Sequence, residues 1–176
     1  MHKTNARIRA ILTSKLPKHK KLSNLLKYLF TMAKIDQSKY YILGSYALRE
    51  HRNINDLDIN MDEKEFLKLQ ALTDKGFGQI EFYNNQIRWF YDLTKTYNKL
   101  TNSREDDFSI EAFQKNPNSG FPTKTYSLGN LRRIRGLSRD KNGHQHFNLA
   151  VLLRWKKQMN RPKDKSDIAL IKKISS

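Results

Sequence analysis

Two aspartates one residue apart, Asp56 and Asp58 in Asn55-Asp56-Leu57-Asp58-Ile59, are the residues of this chain best placed by type and spacing to do chemistry. Aspartate is disfavoured in strands, yet its alternation here with Leu57 and Ile59 is that of a strand, which puts both carboxylates on one face. Ionised and a few ångströms apart, they would repel by roughly 3 kcal/mol at an effective dielectric of about 20 unless a cation lay between them. Hard oxygen donors of this kind suit Mg²⁺ or Mn²⁺, and Mg²⁺ is commonly held by one or two carboxylates while substrate phosphates and water complete the octahedron. The bland alternative is a solvated acidic face on an edge strand.

A second feature lies upstream. Tyr40-Tyr41-Ile42-Leu43 reads as a short strand, stopped by Gly44-Ser45 and followed by a short helical stretch from Tyr46 to Glu50. Backbone N–H groups left over at such a turn can hold a phosphate, and the Ser45 hydroxyl adds a donor. A Gly-Ser pair after a strand is a common turn; what makes it informative is the carboxylate pair that follows it.

Leu43-Gly44-Ser45, ten intervening residues and then Asp56-Leu57-Asp58-Ile59 together resemble the signature of the DNA polymerase beta-type nucleotidyltransferase superfamily. The resemblance implies an α+β fold, a small mixed β-sheet flanked by helices. It also implies that Gly44 and Ser45 hold a nucleoside triphosphate such as ATP while Asp56 and Asp58 bind two metal ions. Near the end, Arg161-Pro162-Lys163-Asp164-Lys165-Ser166-Asp167-Ile168 is similar to the Arg-x-Lys-Asp...Asp segment of abortive-infection-type nucleotidyltransferase toxins. That likeness implies that Lys163 reaches the triphosphate with Asp164 orienting it, and that an antitoxin or another protein is a partner. Without it, the same segment is an ordinary helix start with proline in the first turn and an early acid.

The family's third carboxylate stands on a later strand. Glu111, between apolar neighbours in Ser109-Ile110-Glu111-Ala112-Phe113, is the first choice for it, with Asp107 and Glu81 as alternatives. Arg88 and Trp89 in Ile87-Arg88-Trp89-Phe90-Tyr91 could meet phosphate and base, although such aromatics are more often core. His144 and His146 lack a cysteine or third ligand nearby and read as surface or hydrogen-bonded residues rather than a zinc site.

Charge speaks to the acceptor. The chain has 34 Lys and Arg against 17 Asp and Glu, a formal +17, and a field of that sign draws polyanions and repels cationic acceptors such as aminoglycosides. The first 36 residues carry nine Lys and Arg against Asp36 alone. From Leu131 onward there are thirteen more against Asp140, Asp164 and Asp167. High charge also serves solubility alone, but its concentration at the two ends favours a nucleic-acid partner.

The elements that must position these residues follow from periodicity. Ala6 to Leu16 and Ser23 to Ala33 predict two basic amphipathic helices separated by a Pro17 to Lys21 break, and Asp62 to Lys75 predicts one helix with Phe66, Leu67, Leu69 and Leu72 along one side. Phe77 to Tyr83 and Gln86 to Leu93 predict a hairpin about Asn84-Asn85. Asn98 to Asp106 reads as a polar loop, Phe108 to Gln114 as a strand, and Pro117 to Pro122 as the turn that closes it. Segments near Ser127 to Ser138, His146 to Met159 and Lys163 to Ile174 read as helices. With the resemblance above, the whole is expected to be one nucleotidyltransferase-like domain: a basic helical segment over 1–36, a catalytic sheet over 37–122 and a helical segment over 123–176.

The absence of cysteine excludes disulfides and thiolate metal sites and suits an intracellular, cytoplasmic setting. No apolar run reaches the roughly 20 residues that span a bilayer, and the first residues lack the apolar core of a secretory signal. The expected activity is Mg²⁺-dependent transfer of a nucleoside monophosphate from NTP to a hydroxyl of RNA, such as tRNA, or DNA, with release of pyrophosphate. The alternatives are a catalytically degenerate module of the same fold that binds nucleic acid, and a structural cation site whose basic helices bind an acidic protein surface.

Overall fold

Alternate side chains of one short strand enter two different cores, and the rest of the architecture follows from that. A computed structural model describes residues 6–114 and 126–176; the turn expected over Pro117 to Pro122 lies outside them. Strand β1 (Tyr40–Ile42) sends Tyr40 and Ile42 into a core with α1 (Ala6–Thr13) and α2 (Lys18–Met32). Tyr41 and the following Leu43 enter a second core with α7 (Leu149–Met159) and α8 (Asp164–Ile174). A strand covered on both faces has no need of a polar alternation, which explains the continuous apolar run.

The remaining elements complete a mixed α+β architecture around a seven-stranded sheet. β2 (Asp56–Met61) is followed by α3 (Glu63–Leu67), α4 (Gln70–Thr73), β3 (Gln79–Tyr83), β4 (Gln86–Asp92), α5 (Thr94–Thr101) and β5 (Ser109–Gln114). Then come α6 (Leu128–Arg133), β6 (Leu137–Arg139) and β7 (Gln145–Phe147). Strand order is β3-β4-β5-β2-β1-β7-β6; β2 runs parallel to β5 and β1 parallel to β7, while the other neighbours are antiparallel.

Several elements depart from the sequence reading for identifiable reasons. Helix α2 begins directly after Pro17, which occupies its N-cap, so the expected break is shorter than Pro17 to Lys21. The helix over 62–75 is two short ones, and Leu67 is 65% exposed while Phe66, Leu69 and Leu72 are buried. The polar loop over 98–106 overlaps α5, whose Tyr97 stacks on Phe108 at 4.1 Å; Leu93, Tyr97 and Leu100, three or four residues apart, give that helix its apolar side. The helical readings near Ser127 to Ser138 and His146 to Met159 conceal β6 and β7. Three residues are too few to show alternation, and β7 is buried at every position.

The hairpin about Asn84-Asn85 forms as its sequence predicts, with both asparagines at positive φ (47° and 60°), as a type I′ turn requires. Asn85→Gly should therefore raise stability by about 0.5 kcal/mol, since glycine carries no left-handed penalty. A fall in melting temperature would contradict that geometry.

Candidate functional site

The parallel pairing of β2 with β5 assembles the acids. It sets Asp56 opposite Ser109 and Asp58 opposite Glu111, on the face away from the buried Leu57, Ile59, Ile110 and Ala112. Asp107, two residues before Ser109, accepts a hydrogen bond from the Ser109 hydroxyl at 2.6 Å.

The Gly44-Ser45 turn lies against this pair. Leu43 N donates to the Asp58 carbonyl at 2.7 Å. Gly44 has φ +64°, and a Cβ there would stand 3.9 Å from Asp58 Oδ2, so glycine serves both the left-handed turn and the approach to the carboxylate. The chain continues as one 3₁₀ stretch, Gly44–Leu48, in place of the helical stretch expected from Tyr46. The Ser45 hydroxyl donates to Asp167 Oδ2 at 2.8 Å, joining the upstream motif to the C-terminal segment.

That segment is built around a buried lysine. Lys156 Nζ lies 2.8 Å from Asp164 Oδ1 and 2.7 Å from Asp167 Oδ2. Arg161 Nε donates to Asp164 Oδ2 at 2.7 Å, and Arg52 pairs with Asp167. Burial would raise the Asp164 carboxyl, but the donors on Arg161 and Lys156 outweigh it and hold it at about 2. Asp167 is likewise held below its ordinary range against the effect of burial, by Lys156, Ser45 and Arg52. Asp164 is therefore an anchor for cations, while the neighbouring Lys163 is exposed.

These groups line one cleft of about 310 Å³, with Asp56, Asp58 and Asp107 contributed by the sheet side and Arg52, Arg161 and Lys163 among its cations. Burial, then Asp56 and Glu111, push the Asp58 carboxyl up to about 7, with Lys163 opposing. Asp56 is raised by burial and by Asp107, with Lys163 and Arg52 opposing. A pair of acids with raised pKa on one face fits a hard divalent cation, which would restore the charged forms. Among the described residues no group of three or more His, Asp or Glu forms a ready-made cation cage; two carboxylates with substrate phosphates is the arrangement Mg²⁺ commonly takes.

The three candidates for the third acid separate here. Glu111 has the register position next to Asp58, but its Oε2 accepts from Arg88 Nη1 at 2.8 Å. Glu81 shares that arginine, with Oε1 accepting from Nε at 2.7 Å. Asp107 is the one that lines the cleft. Arg88 is further held over the rings of Tyr83 and Phe90 at 3.7 and 4.5 Å. Trp89 is fully buried and donates to the Phe77 carbonyl at 3.1 Å. Its ring occupies the space beside Gly78, where a Cβ would come within 2.6 Å of it.

His144 and His146 are buried hydrogen-bonding residues. Tyr40 OH lies 2.5 Å from His144 Nδ1 and Arg49 Nη1 lies 3.1 Å from His146 Nε2, and burial holds both imidazoles below their ordinary pKa. Sequence reasoning missed Lys156 and Arg52. Nothing local distinguishes buried Lys156 from exposed Lys157, whereas Asp167, three residues after Asp164 on one helical face, could have been paired with it. Comparison of the chain with family models, with curated proteins and with solved structures returns no match.

Proposed function

We propose that the protein is a metal-dependent nucleotidyltransferase that moves a nucleoside monophosphate from NTP to a hydroxyl of RNA or DNA and releases pyrophosphate. The observation that carries the reading is the meeting, in one cleft, of Asp56 and Asp58 with the Gly44-Ser45 turn and the cation Lys163. Mg²⁺ held there would neutralise phosphate charge and lower the pKa of the attacking hydroxyl. Asp56 and Asp58 bind it, with Asp107, lining the same cleft, the better-placed third acid. Lys163, Arg52 and Arg161 draw the triphosphate in, and Gly44 lets the backbone approach it closely. The formal +17 charge supports a polyanionic acceptor.

One observation favours a second reading. Arg88 occupies the carboxylate of Glu111, and a fold that binds nucleic acid without turnover would tolerate that. Incubation with Mg²⁺, each labelled NTP and total RNA or primed DNA separates the two. Label transfer by the wild type and its loss in Asp56→Ala/Asp58→Ala supports the enzyme; nucleic-acid binding with no transfer under any combination supports the module.

A further inference from the structure

Beside the carboxylate cleft lies a second one of about 400 Å³, lined by Lys18, His19, Arg49, His51 and Arg52 with Glu50 as its single carboxylate. The two clefts share Arg52, Asn53 and Ile54. Lys18 is fixed at their junction: its Nζ donates to Asn55 Oδ1 at 3.2 Å and pairs with Glu105 Oε2 at 2.6 Å, and Asn55 immediately precedes Asp56.

The N-terminus of α2, a helix of 15 residues, opens on this second cleft. Its Pro17 N-cap supplies no side-chain cap and its first turn contains no acid; the Lys20 and Lys21 amides donate to the Pro17 carbonyl at 3.0 and 3.1 Å, which leaves the N–H groups of Lys18 and His19 without a side-chain cap. Lys18, matched by Glu105, and Lys20 add positive charge near the positive end of the helix dipole, where an anion is favoured, whereas the Lys21 ammonium is buried and donates to the Leu12 carbonyl at 2.8 Å.

A second observation points the same way. His19, only 9% exposed and lining the cleft, has an Nε2 atom without a hydrogen-bond partner among the described residues. Glu50 Oε1, at 3.6 Å, is beyond hydrogen-bond reach. Burial, followed by Glu50 in the opposite sense and by Lys20 and Arg49, leaves its pKa lowered. The neutral ring can carry its proton on Nε2 and donate it to an oxyanion.

We propose that this second cleft binds the phosphodiester backbone of the nucleic-acid acceptor, with Lys18, Arg49 and the uncapped N-terminus of α2 as phosphate contacts and His19 Nε2 as an additional donor. The proposal rests on the nucleotidyltransferase reading, and deepens it by giving the acceptor strand a track that reaches the carboxylates through Arg52. Phosphate oxygens could equally come from the triphosphate, so the two sources must be tested apart.

Binding of a fluorescently labelled single-stranded RNA is measured by anisotropy across a salt series, with EDTA present and NTP absent. Lys18→Gln and Arg49→Gln should each weaken binding several-fold and flatten the log–log salt slope by about 0.7, the value for one single-strand phosphate contact. Arg49→Lys should keep the wild-type slope. Lys172→Gln/Lys173→Gln, which removes as much charge from the far end of α8, should leave more of the slope than Lys18→Gln/Arg49→Gln does. Equal effects of these two double variants, or a loss in Arg49→Lys matching that in Arg49→Gln, would overturn the proposal. So would a Lys18→Gln that weakens Mg²⁺-NTP binding and leaves RNA binding intact. Asp56→Ala/Asp58→Ala should bind RNA as the wild type does. If no transfer is ever seen while the salt slopes behave as stated, the catalytic reading fails and the cleft stands.

Discussion

Asp58→Asn should abolish nucleotidyl transfer and, in the metal-free protein, raise stability above pH 7. The loss of turnover should be on the order of 10³-fold, equivalent to about 4 kcal/mol of transition-state stabilisation. The gain in stability has a different origin. Burial and the charges of Asp56 and Glu111 push the Asp58 carboxyl up to about 7 in the folded chain, against an ordinary value near 4 when unfolded. A carboxyl raised in this way stabilises the fold only while protonated. Its contribution is complete below about pH 4 and is lost as pH rises through about 7. Removing the charge should recover about 2 kcal/mol at pH 8, roughly half the full linkage value because water in the cleft screens the group. Thermal melts from pH 4 to 9 in EDTA should show the wild type losing stability over that window and Asp58→Asn staying flatter. Added Mg²⁺ should raise the wild-type melting temperature more at pH 8 than at pH 5, because the ligands must be deprotonated to bind. Parallel curves for the two proteins would refute this account of the pair.

Lys156→Met should be the most destabilising single change at the site, by about 3 kcal/mol, at the low end for a broken buried ion pair, because it leaves Asp164 to Arg161 alone and Asp167 to Arg52 and Ser45. Both carboxylates lie within 2.8 Å of Lys156 Nζ, and all three side chains are less than 5% exposed. Wild-type Asp164, held at about 2, contributes stability present above its unfolded pKa and lost only as pH falls through about 2. In Lys156→Met that contribution is reduced, so lowering pH from 7 to 4 should relieve part of the damage. Lys156→Met/Asp164→Asn/Asp167→Asn should recover most of the loss in urea unfolding yet lose the anchor of the Ser45 hydroxyl and of Arg52. A single variant as stable as the wild type would show that Lys156 does not neutralise the pair.

The carboxylate strand was legible because Asp56 and Asp58 alternate with Leu57 and Ile59, and a period of two survives whatever packs against it. The hairpin was legible because Asn84 and Asn85 tolerate the left-handed backbone their turn needs. Strands β6 and β7 were not, since each has three residues and takes its identity from partners distant in sequence, Ile42 with His146 among them. Helix α5 hid behind polar residues whose bonds are local, such as Asn98 Nδ2 to the Glu105 carbonyl at 2.9 Å. At the site, the spacing brought out Gly44, Ser45, Asp56 and Asp58, which do share a cleft. The partner of Glu111 could not be read, because Arg88 reaches it across a strand pairing that only the folded chain defines. Lys156 was hidden for the same reason, its two aspartates lying on the following helix.

The division of the apolar interior into two clusters gives the cleft a mechanical character. Leu57 and Ile59 root the carboxylate strand in the cluster beneath α1 and α2, whereas Trp155 and Ile171 root the helices bearing Lys156 and Asp167 in the other. The strand of Asp56 and Asp58 and the helices of Lys156, Asp164 and Asp167 are thus rooted in different clusters and meet along a seam. A metal-bound triphosphate lodged there would bridge that seam, so that filling the site would also tie the carboxylate strand to the C-terminal helices.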